Sequence, residues 1–196
     1  MPRYASAAWR AYRPGSAVSG RAPAVAAVAG VAADCRILGL DPGSLRTGFG
    51  LLDCRGGREI YLTSGCIRVT GDSLAARLRR IFDALEALVV EHRPDEVAIE
   101  RVFMHKNADS ALKLGQARGA ALCAASRGAA AIHEYAPRAI KLAVTGSGAA
   151  DKHQVARMVG MMLALSHRPT ADEADALAIA LCHAQSRRVL AAMAAS

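Results

Sequence analysis

Between Cys35 and Ala192 the apolar positions switch between two spacings, and the switches mark out a series of strands and helices. Arg36–Leu40 is a short apolar run ending at Asp41, which predicts a buried strand. The turn-rich stretch Pro42–Gly48 leads to a second strand, Phe49–Asp53. Gly56-Gly57 then reverses the chain tightly into a third, Glu59–Val69, so the first three strands form an antiparallel meander. Leu74, Leu78, Ile81, Leu85 and Leu88 recur at helical spacing, predicting a helix from Ser73 to about His92 that Pro94 ends. Val97–Ile99 predicts a fourth strand closing on Glu100, Asn107–Arg127 a helix of small residues, and Ala131–Tyr135 a fifth strand. Helices follow at about Pro137–Val144, Lys152–Leu163 and Ala171–Ala192. The order βββαβαβ and then helices predicts an α/β domain: a five-stranded mixed sheet with an antiparallel edge, flanked by helices.

Residues 1–34 follow neither spacing. They hold twelve Ala, four Arg, one acid (Asp34) and the only Trp, Trp9. The expected division is therefore an Ala/Arg-rich extension over 1–34 and a working domain over 35–196. Three readings of the extension stand: a disordered or upstream stretch, a targeting peptide poor in Leu, Ile and Phe, and a basic arm that touches DNA. Composition and charge add four constraints. With 53% apolar but only 4% aromatic residues, the core must be aliphatic. Five Cys without a CxxC pair argue against a disulfide framework or structural zinc, and for a reducing, cytoplasmic setting. No run approaches the roughly 18 consecutive apolar residues of a membrane span. The net charge is +8; residues 1–34 carry +3 of it, leaving +5 on the domain, which suggests an anionic partner such as nucleic acid.

Four carboxylates sit in suggestive places. Asp41 and Glu100 each end an apolar strand, and strands one and four are expected to be parallel neighbours; open α/β sheets place their sites at the carboxyl ends of strands. Asp41 also reads as a turn residue, in Asp-Pro-Gly, and Glu100 as a solvated strand end. Thr170 and Glu173 fit a capping box, so a helix starts there. Asp172 in its first turn suits the helix dipole. Asp175, among Ala174, Ala176, Leu177, Ala178 and Ile179, is a carboxylate entering a buried region, which is costly unless paired or bound to metal. Together the four acids could hold two divalent cations, Mg²⁺ or Mn²⁺, and a basic body around such a site suggests a nuclease.

The runs Ile37–Gly50, Ala98–Gly119 and Asp172–Ala178 resemble the RuvC family of bacterial Holliday junction resolvases, with similarity over about residues 35–190. The resemblance implies a ribonuclease H-like fold, a homodimer, and partnership with the RuvA–RuvB branch-migration complex. It implies an endonuclease of recombination and repair that makes paired, Mg²⁺-dependent nicks across a four-way DNA junction, in strands of like polarity. Ligatable 5′-phosphate and 3′-hydroxyl ends result. The family's metal-binding acids fall on Asp41, Glu100, Asp172 and Asp175, and its junction-opening aromatic on Phe103. Phe103 also reads as a core aromatic. Lys141 and Lys152 match basic positions of the family; Lys106 and Arg101 are further candidate DNA contacts, although a neutral polar residue is expected where Arg101 stands. The small residues of Asn107–Arg127 suit either packing on the sheet or a dimer interface. The six His are dispersed along the chain and suggest no competing site; His183 reads as packed, or as support for Asp175 two turns away. Two other classes compete. Asp41–Gly48 also resembles the first phosphate loop of actin- and sugar-kinase-type ATPases, but no second loop follows. A catalytically silent junction-binding module is disfavoured by the presence of all four acids.

Overall fold

Strand alternation splits the core of this chain into two apolar layers. The computed structural model describes residues 33–101, 108–128 and 130–196. The strands β1 (Cys35–Pro42), β2 (Arg46–Arg55), β3 (Arg58–Arg68), β4 (Glu96–Glu100) and β5 (Ala131–Tyr135) form one sheet in the order β3-β2-β1-β4-β5. The pairs β1–β2 and β2–β3 are antiparallel, whereas β4 runs parallel to β1 and β5 parallel to β4. The expected mixed sheet and its antiparallel edge are both present. Helices α1 (Leu74–His92) and α2 (Ala108–Ala125) cover one face. Helices α3 (Pro137–Thr145), α4 (Lys152–Met162) and α5 (Ala171–Ala194) cover the other.

Leu38, Leu40, Leu51, Val97 and Ile99 point to α1 and α2, where they meet Ile81, Leu85 and Ala121. Their alternates Ile37, Leu52 and Ala98 point to α5 and meet Leu177 and Leu181. Among the described residues every large side chain that is fully buried is Ile or Leu, apart from His183, so the core is aliphatic as expected. Helix boundaries follow local chemistry. The Ser73 side chain accepts from the Ala76 N–H at 3.2 Å to begin α1, and Arg93 ends it in a left-handed conformation, φ 47°, just before Pro94. At α5 the expected capping box forms: Thr170 N–H donates to the Glu173 carboxylate and Glu173 N–H to the Thr170 hydroxyl.

α5 approaches the sheet over glycines. Gly39 of β1 and Gly50 of β2 are cross-strand partners, and Gly48 is the partner of Asp41. A Cβ on Gly39 would lie 2.2 Å from the Ala176 carbonyl oxygen, and one on Gly48 2.1 Å from that of Asp172. One on Gly50 would lie 2.7 Å from the Leu177 side chain. The first two contacts are backbone against backbone, so no rotamer change relieves them.

Gly39→Ala is expected to destabilise the protein by at least the ~1–3 kcal/mol typical of overpacking, measured by equilibrium urea unfolding. Gly160→Ala in α4, where a Cβ meets nothing within 4 Å, is expected to be neutral or to stabilise by up to ~1 kcal/mol.

Candidate active site

Asp41 and Glu100 become neighbours through strand register. β1 and β4 pair Gly39 with Ala98 and Leu40 with Ile99, and the next step sets Asp41 beside Glu100. Both lie on the α5 face, two residues beyond Gly39 and Ala98 respectively. α5 brings the other two acids from its first turns. Asp41, Glu100 and Asp175 line one cavity with Lys141 and Lys152, walled by Ile140, Val155 and Ile179. Lys152 Nζ lies 3.1 Å from Asp175 Oδ2. Asp172 sits at the other flank, where its Oδ2 accepts from Cys66 Sγ at 3.3 Å and from Arg46 Nη1 at 3.5 Å.

The electrostatics describe a site short of positive charge. Burial, then repulsion from Asp175 and Asp172, pushes the Asp41 carboxyl up to about 6 against the pull of Lys152. Burial followed by repulsion from Asp41 and Asp175 pushes Glu100 up to about 7, although Lys152 and Lys141 oppose it. Lys152 is raised, chiefly by Asp175. The protein's own cations thus leave the cluster incompletely neutralised. The donors are carboxylate oxygens, which are hard ligands, so the group fits a divalent cation of the Mg²⁺ or Mn²⁺ type.

The model of the family described as crossover junction endodeoxyribonuclease RuvC matches residues 37–183. The chain belongs to the RuvC family. It is 56% identical over 158 residues to the RuvC of Marinobacter nauticus, covering 81% of this chain and 90% of that one. With the Shewanella piezotolerans RuvC it shares 53% over 157 residues, 80% of this chain and 91% of the relative. Thermus thermophilus RuvC in complex with a Holliday junction substrate superposes with a TM-score of 0.75 at 32% identity, covering 80% of this chain and 97% of that one. The fold is accordingly the ribonuclease H-like fold of RuvC. Family membership also replaces the ATPase reading of the Asp41–Gly48 run.

Of the other RuvC-like candidates, Lys141 and Lys152 stand in the carboxylate cavity. Arg101 lies 3.7 Å from Glu134, an ion pair at the edge of the sheet. Phe103 and Lys106 lie outside the described residues, as does Asn107, the expected start of the helix that is described from Ala108. Sequence reasoning did not identify Arg46 and Cys66. Arg46 alternates with Gly48 and Cys66 stands opposite it, signals that need the β2–β3 register to become visible.

The six His are dispersed along the chain, but the fold brings two of them together. His133 and His183 stack with ring centroids 4.3 Å apart, and His183 bonds both Tyr135 and Glu96. The sheet causes this: β5 pairs His133 with Ala98, two residues from Glu96 on the same face. Glu96, His133 and His183 offer ligand atoms within 4.8 Å of one another, but Arg187 Nε lies 2.9 Å from Glu96 Oε2 and fills a cation's place. His183 is 2% exposed, a packed core residue. It stands eight residues beyond Asp175, about 12 Å along a helix rising 1.5 Å per residue, and does not support that acid directly.

The raised carboxyl values fix a sign for the pH dependence. The folded state keeps the protons on Asp41 and Glu100 longer than the unfolded chain does. Their contribution to stability is complete below about pH 4 and is lost as pH rises through about 6 and 7. In EDTA, the paired variant Asp41→Asn, Glu100→Gln is expected to lose less melting temperature than the parent between pH 4 and pH 8, by calorimetry at fixed ionic strength. Added Mg²⁺ is expected to raise the parent's melting temperature more at pH 8 than at pH 5.

Proposed function

We propose that this RuvC-family chain resolves four-way DNA junctions by paired nicks in strands of like polarity, leaving 5′-phosphate and 3′-hydroxyl ends. The observation that carries the reading is the convergence of Asp41, Glu100, Asp172 and Asp175 from two strand ends and one helix start. The Thermus relative, whose structure was solved with a Holliday junction substrate, supplies the substrate class.

In this reading the four acids would hold two Mg²⁺ ions, for which Mn²⁺ would substitute. Such ions would supply Lewis acidity to an attacking water and to the leaving 3′-oxygen of the phosphodiester. The protein's part is positional. Asp41 and Glu100, fixed by β1–β4 pairing, present oxygens to one side of the cavity, and Asp175 presents them from α5. Lys152 orients the Asp175 carboxylate and, with Lys141, offers positive charge to the DNA phosphate entering the cavity. Ile140, Val155 and Ile179 keep bulk water from its inner wall. Arg101 and Lys106 add contacts to the DNA backbone. Phe103, three residues past Glu100, stacks on a base at the junction centre and offsets part of the unstacking cost.

Two nicks need two sites, so the working unit is a homodimer. α2 suits the interface: Leu112 is exposed on it, and a Cβ on Gly115 or Gly119 would meet nothing within 4 Å. Handover of the junction from RuvA–RuvB, a role in recombination and repair, and a cytoplasmic location complete the proposal. Among the described residues no helix is long and apolar enough to cross a membrane. Residues 1–34 lie outside the nuclease domain in this scheme.

Incubated with Mg²⁺, the full chain is expected to nick a synthetic four-way junction symmetrically and to spare a linear duplex of the same sequence. Nicking of both alike would overturn the reading. Asp41→Asn is expected to bind the junction with near-parental affinity while cleavage falls by more than the ~100-fold that loss of a supporting partner costs. Phe103→Ala is expected to bind junctions and cut them slowly, measured as single-turnover cleavage.

A further inference from the structure

Two arginines at the strand ends near Asp172, one of them reaching it, stand in a place that the carboxylate cluster alone does not explain. Arg46 opens β2 and Arg68 closes β3, and the two are direct cross-strand partners. Like charges in that relation repel and weaken a strand pair. The strand ends are nevertheless held together, since the Val69 N–H donates to the Leu45 carbonyl at 3.0 Å. Both arginines are exposed. Both belong to the α5 face, because Gly48 and Cys66, two positions along from each, are the residues that meet Asp172. Arg46 reaches Asp172 only at 3.5 Å, with its side chain 65% exposed. Among the described residues Arg68 forms no ion pair.

We propose that Arg46 and Arg68 form a phosphate grip on the Asp172 flank of the site. The ligand is a backbone phosphate of the DNA strand being cut, next to the scissile one. Lys141 and Lys152 hold the strand at the Asp175 flank, and the arginine pair holds it at the other. A phosphate between two guanidiniums removes the repulsion that the register imposes, and the planar donor fork of Arg suits its oxygens. Asp172 meanwhile keeps Arg46 turned toward the site, and this single 3.5 Å contact through Nη1 leaves the other guanidinium donors open to the phosphate. This inference rests on the junction-nuclease reading.

The test is junction binding in EDTA, followed by fluorescence anisotropy across a salt series, with cleavage in Mg²⁺ measured separately. Arg46→Gln and Arg68→Gln are each expected to lower the slope of log affinity against log salt by about 0.9, and the double variant by about twice that. The double Lys variant, which keeps both charges, is expected to retain the parental slope. Thermal unfolding of Arg68→Gln is expected to be unchanged or raised, because a like-charge pair is relieved; a merely structural role would lower it. An unchanged slope in the double Gln variant, while the parent chain binds and nicks junctions, overturns the grip and leaves the nuclease reading standing. A parent chain that nicks no junction overturns that reading, and the grip with it.

Discussion

The contact of the α5 backbone with the glycines of β1 and β2 sets everything that the site needs. Asp172 and Asp175 sit at the start of a helix, and Asp41 sits on a strand beneath it. Their separation is fixed by how closely helix and sheet approach. Carbonyl oxygens of Asp172 and Ala176 occupy the space where Cβ atoms on Gly48 and Gly39 would be. An ordinary side chain at either position would lift the helix by an ångström or more and draw the aspartates away from Asp41 and Glu100. The helix answers with its own small residues, since Ala176 and Ala180 are the ones that face these glycines. A close-packed interior transmits such a displacement instead of absorbing it.

The same closeness has an electrostatic cost, and the cost makes the site selective. Acids held by a rigid helix and a rigid sheet cannot relax away from one another. Burial and repulsion raise Asp41 and Glu100 toward neutrality, and the two lysines in the cavity offset this only in part. The chain therefore carries a standing demand for a compact positive charge. Stabilising groups elsewhere in the fold must compensate, and the two aliphatic layers are the available source.

Much of this was legible in the sequence, for identifiable reasons. Strands and helices followed from period and punctuation, and all ten elements formed in the expected order because local signals and tertiary packing agree. Ser73, Pro94 and the Thr170–Glu173 box marked helix ends whose partners lie within four residues, so no long-range knowledge was required. Asp41 and Glu100 were legible because each ends an apolar run, Asp175 because it enters one, and Asp172 because it stands in the first turn of the same helix. Cys66 and Arg46 were not, since their roles depend on β3 pairing with β2 in one particular register, which shifts between Leu51 and Leu52. The clustering of His133, His183 and Glu96 was hidden likewise: three residues from three elements, with no shared spacing in the chain.

That cluster explains how α5 keeps its seat over its whole length. The glycine contacts fix its first half, through Leu177 and Ala180. Farther along, His183 reaches both parallel strands, bonding Glu96 of β4 and the Tyr135 hydroxyl of β5, with Nδ1 and the hydroxyl oxygen 2.6 Å apart. Arg187, one turn on, adds a cation to Glu96, and the His183 bond and Arg187 hold that carboxyl below its usual range despite burial. Tyr135 is in turn the strand partner of Glu100. The helix that carries two of the acids is thus bonded to the strand that carries a third and to that strand's neighbour. A buried polar network of this kind offers one satisfied arrangement, whereas apolar packing alone tolerates small slides along the helix axis. Shape complementarity sets the height of α5 above the sheet. Directional hydrogen bonds set its position along it, and the geometry of the carboxylates needs both.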